Sequence, residues 1–144
     1  MKRSRTQLAA STPDDWHFKE SITLLAPKGN ANVIFSSEPL DGKYDTEAYA
    51  NIQGDLLYRE FPGFRQFSLE EFVLVSGQQG LLRRFEWTPP DGAPVTQMQF
   101  YYASNGRGYT ATATATSKDI SEVELQLSEI LDGLAIEPLA IEPQ

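Results

Sequence analysis

Gly80 to Ser117 constrains the fold more than any other stretch. After its leading glycine it runs LLRRFEWTPPDGAPVTQMQFYYASNGRGYTATATATS, three strand-forming segments cut by two turns. Pro89-Pro90-Asp91-Gly92 separates the first two segments and Asn105-Gly106 the last two. A two-residue Asn-Gly loop favours the turn whose twist matches that of a hairpin. Three consecutive antiparallel strands are therefore expected.

Alternation gives this sheet two different faces. With residues 105 and 106 as the turn, Ser104 lies opposite Arg107, which sets Met98, Phe100 and Tyr102 beside Tyr109, Ala111 and Ala113. Phe85 and Trp87 are expected to join them. The other face then carries Arg84, Glu86, Gln97, Gln99, Tyr101, Thr110, Thr112 and Thr114, all able to hydrogen-bond. One face is predicted to be buried and the other to stay wet or meet a partner. Alternating Thr and Ala make an unusually flat strand, because Ala adds little bulk and β-branched Thr sits well on a pleat.

The rest of the chain builds onto this sheet. Ser21–Leu25 and Ala31–Ser37 read as a hairpin broken at Pro27-Lys28-Gly29-Asn30. Asp45 is placed to cap a helix running to about Glu60, with Tyr49, Ile52, Leu56 and Leu57 on its inner face. Gly54 weakens that helix by about 1 kcal/mol relative to Ala, and Pro62-Gly63 ends it. A strand follows within Phe64–Val75, its best part Glu71–Val75, and Gly77–Gly80 turns the chain into the next. After Ser117 the period changes from 2 to 3.6: Ile120, Val123, Leu127, Ile130, Leu131 and Leu134 form one stripe, with Asp119 and Glu122 in a capping arrangement. That stripe is the natural cover for the Phe85, Met98, Phe100, Ala111 and Ala113 face.

Strand, strand, helix, four strands and a helix make an α+β fold with a mainly antiparallel sheet of about six strands flanked by two helices. Residues 14–136 are expected to form a single domain. Residues 1–13 read as a basic tail without fixed structure and 137–144 as a short C-terminal tail.

Composition excludes several classes of function. There is no cysteine, hence no disulfide, thiolate metal site or cysteine nucleophile. A formal net charge of −8, with Lys2, Arg3 and Arg5 confined to the tail, repels nucleic acid and anionic membrane surfaces. No apolar run long enough to span a bilayer or to act as a leader is present, so a cytoplasmic protein without membrane insertion is expected.

Catalytic constellations are also absent. The one histidine, His17, has no nucleophile in a recognisable motif to serve. Gly106-Arg107-Gly108-Tyr109-Thr110-Ala111 matches the spacing of a dinucleotide loop, but a strand follows where that motif needs a helix N-terminus. Glu86 with Arg84, Glu70 or Glu71 could be drawn as an acid/base pair, though an ion pair across a strand face explains them as well. Asp14-Asp15 and Glu122–Glu124 lack calcium-loop spacing. No enzyme activity and no cofactor are expected. The polar sheet face holds more promise, because Gln97, Gln99, Thr112 and Thr114 are neutral where a merely soluble face carries Lys and Glu.

Trp16 followed by SITLLAP, Ala31-Asn32-Val33-Ile34, Phe61-Pro62-Gly63-Phe64, Phe85-Glu86-Trp87 and Gln97-x-Gln99-x-Tyr101 leading to Tyr109-Thr110-Ala111-Thr112-Ala113-Thr114 together resemble DcrB-like domains over residues 16–134. The resemblance implies a PsbP-like fold, an antiparallel sheet flanked by helices. It also implies one of two roles: a cytoplasmic homodimeric chaperone or adaptor that shields apolar transmembrane helices of a type VI secretion effector, or an exported envelope lipoprotein that binds lipid or a small molecule. The lipidated cysteine and apolar leader of the second are missing here. On the first, Ile22, Leu24, Val33 and Phe35, or their alternates Ile34 and Ser36, line an apolar groove in which Gln97, Gln99 and Thr112 satisfy polar groups of the cargo. Arg84, Tyr101 and Thr114 complete the expected binding set.

Overall fold

The computed structural model describes residues 2–5 and 9–137. Most of the expected C-terminal tail, and part of the N-terminal one, lies outside the described residues. The elements follow the predicted order: β1 (Glu20–Leu25), β2 (Ala31–Pro39), α1 (Thr46–Glu60), β3 (Arg65–Val73), β4 (Gln79–Trp87), β5 (Val95–Ser104), β6 (Arg107–Thr116) and α2 (Ile120–Asp132). The strands form one antiparallel sheet in the order β1-β2-β6-β5-β4-β3. β3 to β6 form a meander, and the β1–β2 hairpin returns to pair with β6. Crossing from β2 to the far edge at β3 obliges α1 to traverse one face of the sheet.

Turn chemistry sets the registers. Asn105 (φ 51°) and Gly106 (φ 75°) both take the left-handed conformation that a two-residue hairpin turn needs, and Ser104 pairs with Arg107 as expected. Val33, Ala113 and Met98 thus fall in one row across β2, β6 and β5, and Phe35, Ala111 and Phe100 in the next.

α2 covers that apolar face. Val123, Leu127 and Leu131 from the helix pack with Val33, Met98, Phe100, Ala111, Ala113 and Ala115, all buried. Burying each larger side chain contributes about 1.5–3 kcal/mol. Alanines on β6 let the helix approach closely. Asp119 does not cap α2 with its side chain; its carboxylate instead accepts the Thr116 hydroxyl at 2.9 Å. Past the helix, Ile136 exchanges backbone bonds with the Gln78 amide at 2.9 and 3.1 Å, which ties residues 134–136 to the β3–β4 turn.

β4 sits one residue out of the expected alternation. Seven residues link Trp87 to Val95, and the resulting register pairs Arg84 with Met98 and Phe85 with Gln97. Phe85 and Trp87 therefore lie on the face opposite Met98, while Arg84 and Glu86 lie on the α2 side. Arg84 forms an ion pair there with Glu124 of α2. Glu86 meets Arg65 at 3.5 Å and accepts from the Ser117 hydroxyl at 2.9 Å. The Pro-Pro-Asp-Gly turn has no fixed loop length, so alternation could not be carried across it from sequence.

α1 covers half of the second face. Its Asp45 cap accepts from the Ala48 N–H at 2.8 Å. Tyr49, Ala50 and Leu57 are buried, whereas Ile52 (39%) and Leu56 (38%) stay exposed, contrary to the expected stripe. The helix is set down by polar contacts that an apolar stripe does not report.

Candidate open sheet face beside the first helix

Where α1 rests, the floor is a buried polar chain. Tyr49 packs edge-on to Tyr101 with ring centroids 6.3 Å apart, and Tyr101 itself is fully buried. Arg83, only 3% exposed, donates to the Tyr101 hydroxyl and to the Ala50 carbonyl of α1, and its Nε donates to Gln66 Oε1 at 2.9 Å. Gly54 is needed in the middle of the helix because any β-carbon there would collide with the Arg83 guanidinium. Burial pushes the Tyr101 hydroxyl up to about 12, against the opposing pull of Arg83. Burial also raises Tyr49, reinforced by the Glu38 carboxylate.

Beyond the helix the same face lies open. Its rows are Leu25–Asn32–Thr114–Gln97, Thr23–Ile34–Thr112–Gln99 and Ser21–Ser36–Thr110, the last of which continues to Tyr101 under α1. Among these rows no side chain is charged, although the chain as a whole carries −8. Hydrogen bonds lace the floor together: Gln97 Nε2 donates to Thr114 Oγ1 at 2.7 Å, Gln99 Nε2 to Thr112 Oγ1 at 2.9 Å, and Trp87 Nε1 to Gln97 Oε1 at 2.8 Å. The Tyr101 hydroxyl donates to Gln99 Oε1, so Arg83, Tyr101, Gln99 and Thr112 form one continuous chain from under α1 to the open surface. Asn32 Oδ1 is buried there without a hydrogen-bond partner among the described residues.

Apolar groups frame this floor. Leu25 (77%) and Ile34 (39%) project from it. Ile52 and Leu56 lie on the Tyr49 flank of α1, which borders β6 because the Tyr49 ring rests on Gly108. At one end, Trp87 packs against Phe61 with ring centroids 4.3 Å apart and the planes tilted by 50°.

The structure divides the residues expected in one groove. Ile34, Ser36, Gln97, Gln99, Thr112 and Thr114 share the open face. Ile22, Leu24, Val33 and Phe35 lie on the α2 side, where Val33 is in the core. Arg84 is there too, and Tyr101 is on the right face but beneath α1. Strict alternation in β2 forces this division: of Val33-Ile34-Phe35-Ser36 only every second residue can face one way. Sequence reading missed Asn32, Ile52, Leu56, Trp87 and Arg83. For Arg83 a signal existed, since adjacent arginines in a strand send one guanidinium to each face. His17 stands exposed ahead of β1, and the described residues gather no cluster of three or more potential metal ligands. Among the described residues no helix is long and apolar enough to cross a membrane.

The fold recurs in a solved structure. PA94 from Pseudomonas aeruginosa, described as a protein of unknown function and a candidate regulator, superposes with a TM-score of 0.75 over 94% of this chain and 96% of that one, at 19% identity. No protein-family model matches the chain, and no curated protein does either. The six-stranded antiparallel α+β architecture is thus shared with PA94.

Proposed function

We propose that this chain is a non-enzymatic binding protein, a chaperone or adaptor that shields an apolar helical segment of a protein partner against the open half of its sheet. One observation carries the reading: three neighbouring rows of the face without a charged side chain, framed by exposed Leu25, Ile34, Ile52 and Leu56 and bounded by Glu38 one row further along β2, on a protein of net charge −8. A helix docked there keeps its own backbone bonds, so the face need only replace water around side chains. Neutral amides and hydroxyls cost little to desolvate against it while they remain bonded to one another.

The resemblance to DcrB-like domains supports the same reading and adds to it a cytoplasmic homodimer whose guest is an effector's transmembrane helix. Acidity elsewhere on the surface keeps such a complex in solution.

The test is co-expression with a helical segment of about 20 apolar residues fused to a soluble carrier, followed by size exclusion with light scattering. Capture should survive high salt, because apolar contact is not screened, and each complex should contain two copies of this chain. Ile34→Asp and Gln99→Glu should abolish it, while Leu125→Asp on the outer side of α2 should not. Failure to capture the segment, or capture unaffected by both face variants, would overturn the reading.

A further inference from the structure

On its other flank α1 borders a pocket of about 300 Å³, lined by Asn51, Gly54, Asp55 and Tyr58 of the helix and by Gln66 and Arg83 of the sheet. That volume holds about ten water-sized groups, the size of a free amino acid. Two opposite charges line it without pairing. Arg83 is in no ion pair among the described residues, nor is Asp55.

A role in holding α1 accounts for four of the five guanidinium N–H groups: one to Gln66, one to Tyr101 and a fork onto the Ala50 carbonyl. The fifth, on Nη2, has no partner among the described residues. Nη2 is also the atom that a β-carbon at Gly54 would meet first, and Gly54 itself lines the pocket. A cation with every partner neutral and one donor left at a pocket wall is matched to a carboxylate, and guanidinium is the side chain best shaped for that group. Asn51 and Gln66 offer amide donors beside it. A plain carboxylate, however, would meet Asp55. A ligand carrying an ammonium next to its carboxylate satisfies both.

We propose that this pocket binds a free α-amino acid, with its carboxylate on Arg83 Nη2, its ammonium on Asp55, and its side chain against Tyr58 and Leu69. The site is separate from the open face, and does not depend on the function proposed for it.

Titration of the whole protein with L-leucine, L-phenylalanine and L-glutamate, followed through the backbone amide resonances of Asn51, Gly54 and Gln66, tests the assignment. At least one should bind, and for leucine the two halves of the recognition can be separated. 4-Methylpentanoate lacks the ammonium and 3-methylbutylamine the carboxylate; each should bind at least tenfold more weakly, a difference of about 1.4 kcal/mol. Asp55→Asn, on the exposed side of the helix, should bring leucine and 4-methylpentanoate to equal affinity. Arg83→Gln should abolish binding, and Asp55→Asn keeps the test decisive if that variant fails to fold. The proposal is overturned if none of the three amino acids moves these resonances at about 10 mM, or if zwitterion and half-analogues bind equally to the unaltered protein. Shifts confined to the open face would overturn it as well.

Discussion

The two faces of this sheet are made by alternate residues of the same strands, yet they are held in different ways. On the α2 side, Ala111, Ala113, Met98 and Phe100 meet a regular leucine and valine stripe, and the contact is close apolar packing. On the α1 side, their neighbours Thr112, Thr114, Gln97 and Gln99 are laced by hydrogen bonds, and the helix above is pinned by one buried guanidinium. Apolar contact is non-directional and can cover a face completely. Directional bonds hold a helix at a few points and leave the remainder of the face free for another molecule.

The largest test of this contrast is truncation on adjacent residues. Phe100→Ala should cost about 3–5 kcal/mol in urea unfolding, as buried aromatic truncations do. Thr112→Ala on β6, directly opposite Gln99 of β5, should cost less than about 1 kcal/mol, the size of one exchanged hydrogen bond. Equal losses would mean that both faces are core.

Alkaline unfolding probes the pinned half alone. Tyr101 ionises near 10.0 in the unfolded chain but only at about 12 in the fold. Between those values the unfolded chain holds fewer protons, so its stability advantage grows and that of the fold declines as pH rises. Full stability is therefore present below about pH 10, and on the order of 2–3 kcal/mol is lost on approaching pH 12, at about 1.4 kcal/mol per unit. Tyr49, raised in the same direction, steepens the loss. Urea midpoints measured from pH 8 to 11 should fall only above about pH 10, and Tyr101→Phe should flatten the fall. A curve unchanged in Tyr101→Phe would remove this residue from the account.

How much of this was legible in sequence follows the same division. The α2 side was read almost whole, because a 3.6-residue stripe and a Thr-Ala alternation each repeat over many positions and a two-residue turn fixes their register. What failed was information carried by single contacts. The seven-residue link after Trp87 inverted β4, sending Phe85 to one face and Arg84 to the other. Ile52 and Leu56 looked like core because spacing alone cannot show that Arg83, Gly54 and Tyr49 rotate the helix away from them. The uncharged character of the open face was legible, but its frame of Ile52, Leu56 and Trp87 came from exactly those misplaced residues, and so did not show.

A smaller effect with a diagnostic sign comes from Gly54. In a solvent-facing helix, Gly→Ala stabilises by about 1 kcal/mol. Here the added β-carbon meets a guanidinium that is buried and held by several bonds, so Gly54→Ala should instead destabilise by about 1 kcal/mol. With Arg83→Gln already in place the obstacle is gone, and the same substitution should turn stabilising. That reversal in a double-mutant cycle isolates the pin from general packing. Additive effects would show that α1 does not depend on Arg83 for its seat.

The smallest effect on stability should accompany the largest on binding. Ile34 is exposed, in the middle of the open face, and pairs across the ladder with Thr112. Ile34→Asp leaves the α2-side core untouched, and exchanging a strand-favouring for a strand-disfavouring residue at this partly exposed position costs less than about 1 kcal/mol. The carboxylate nevertheless stands where an apolar guest would exclude water, and its desolvation has no compensating partner on that face. Thermal unfolding should therefore scarcely change while capture of an apolar helix is lost. If Ile34→Asp instead unfolded the protein, the face would be an internal surface whose cover is part of the fold, and the contrast with the α2 side would be one of degree.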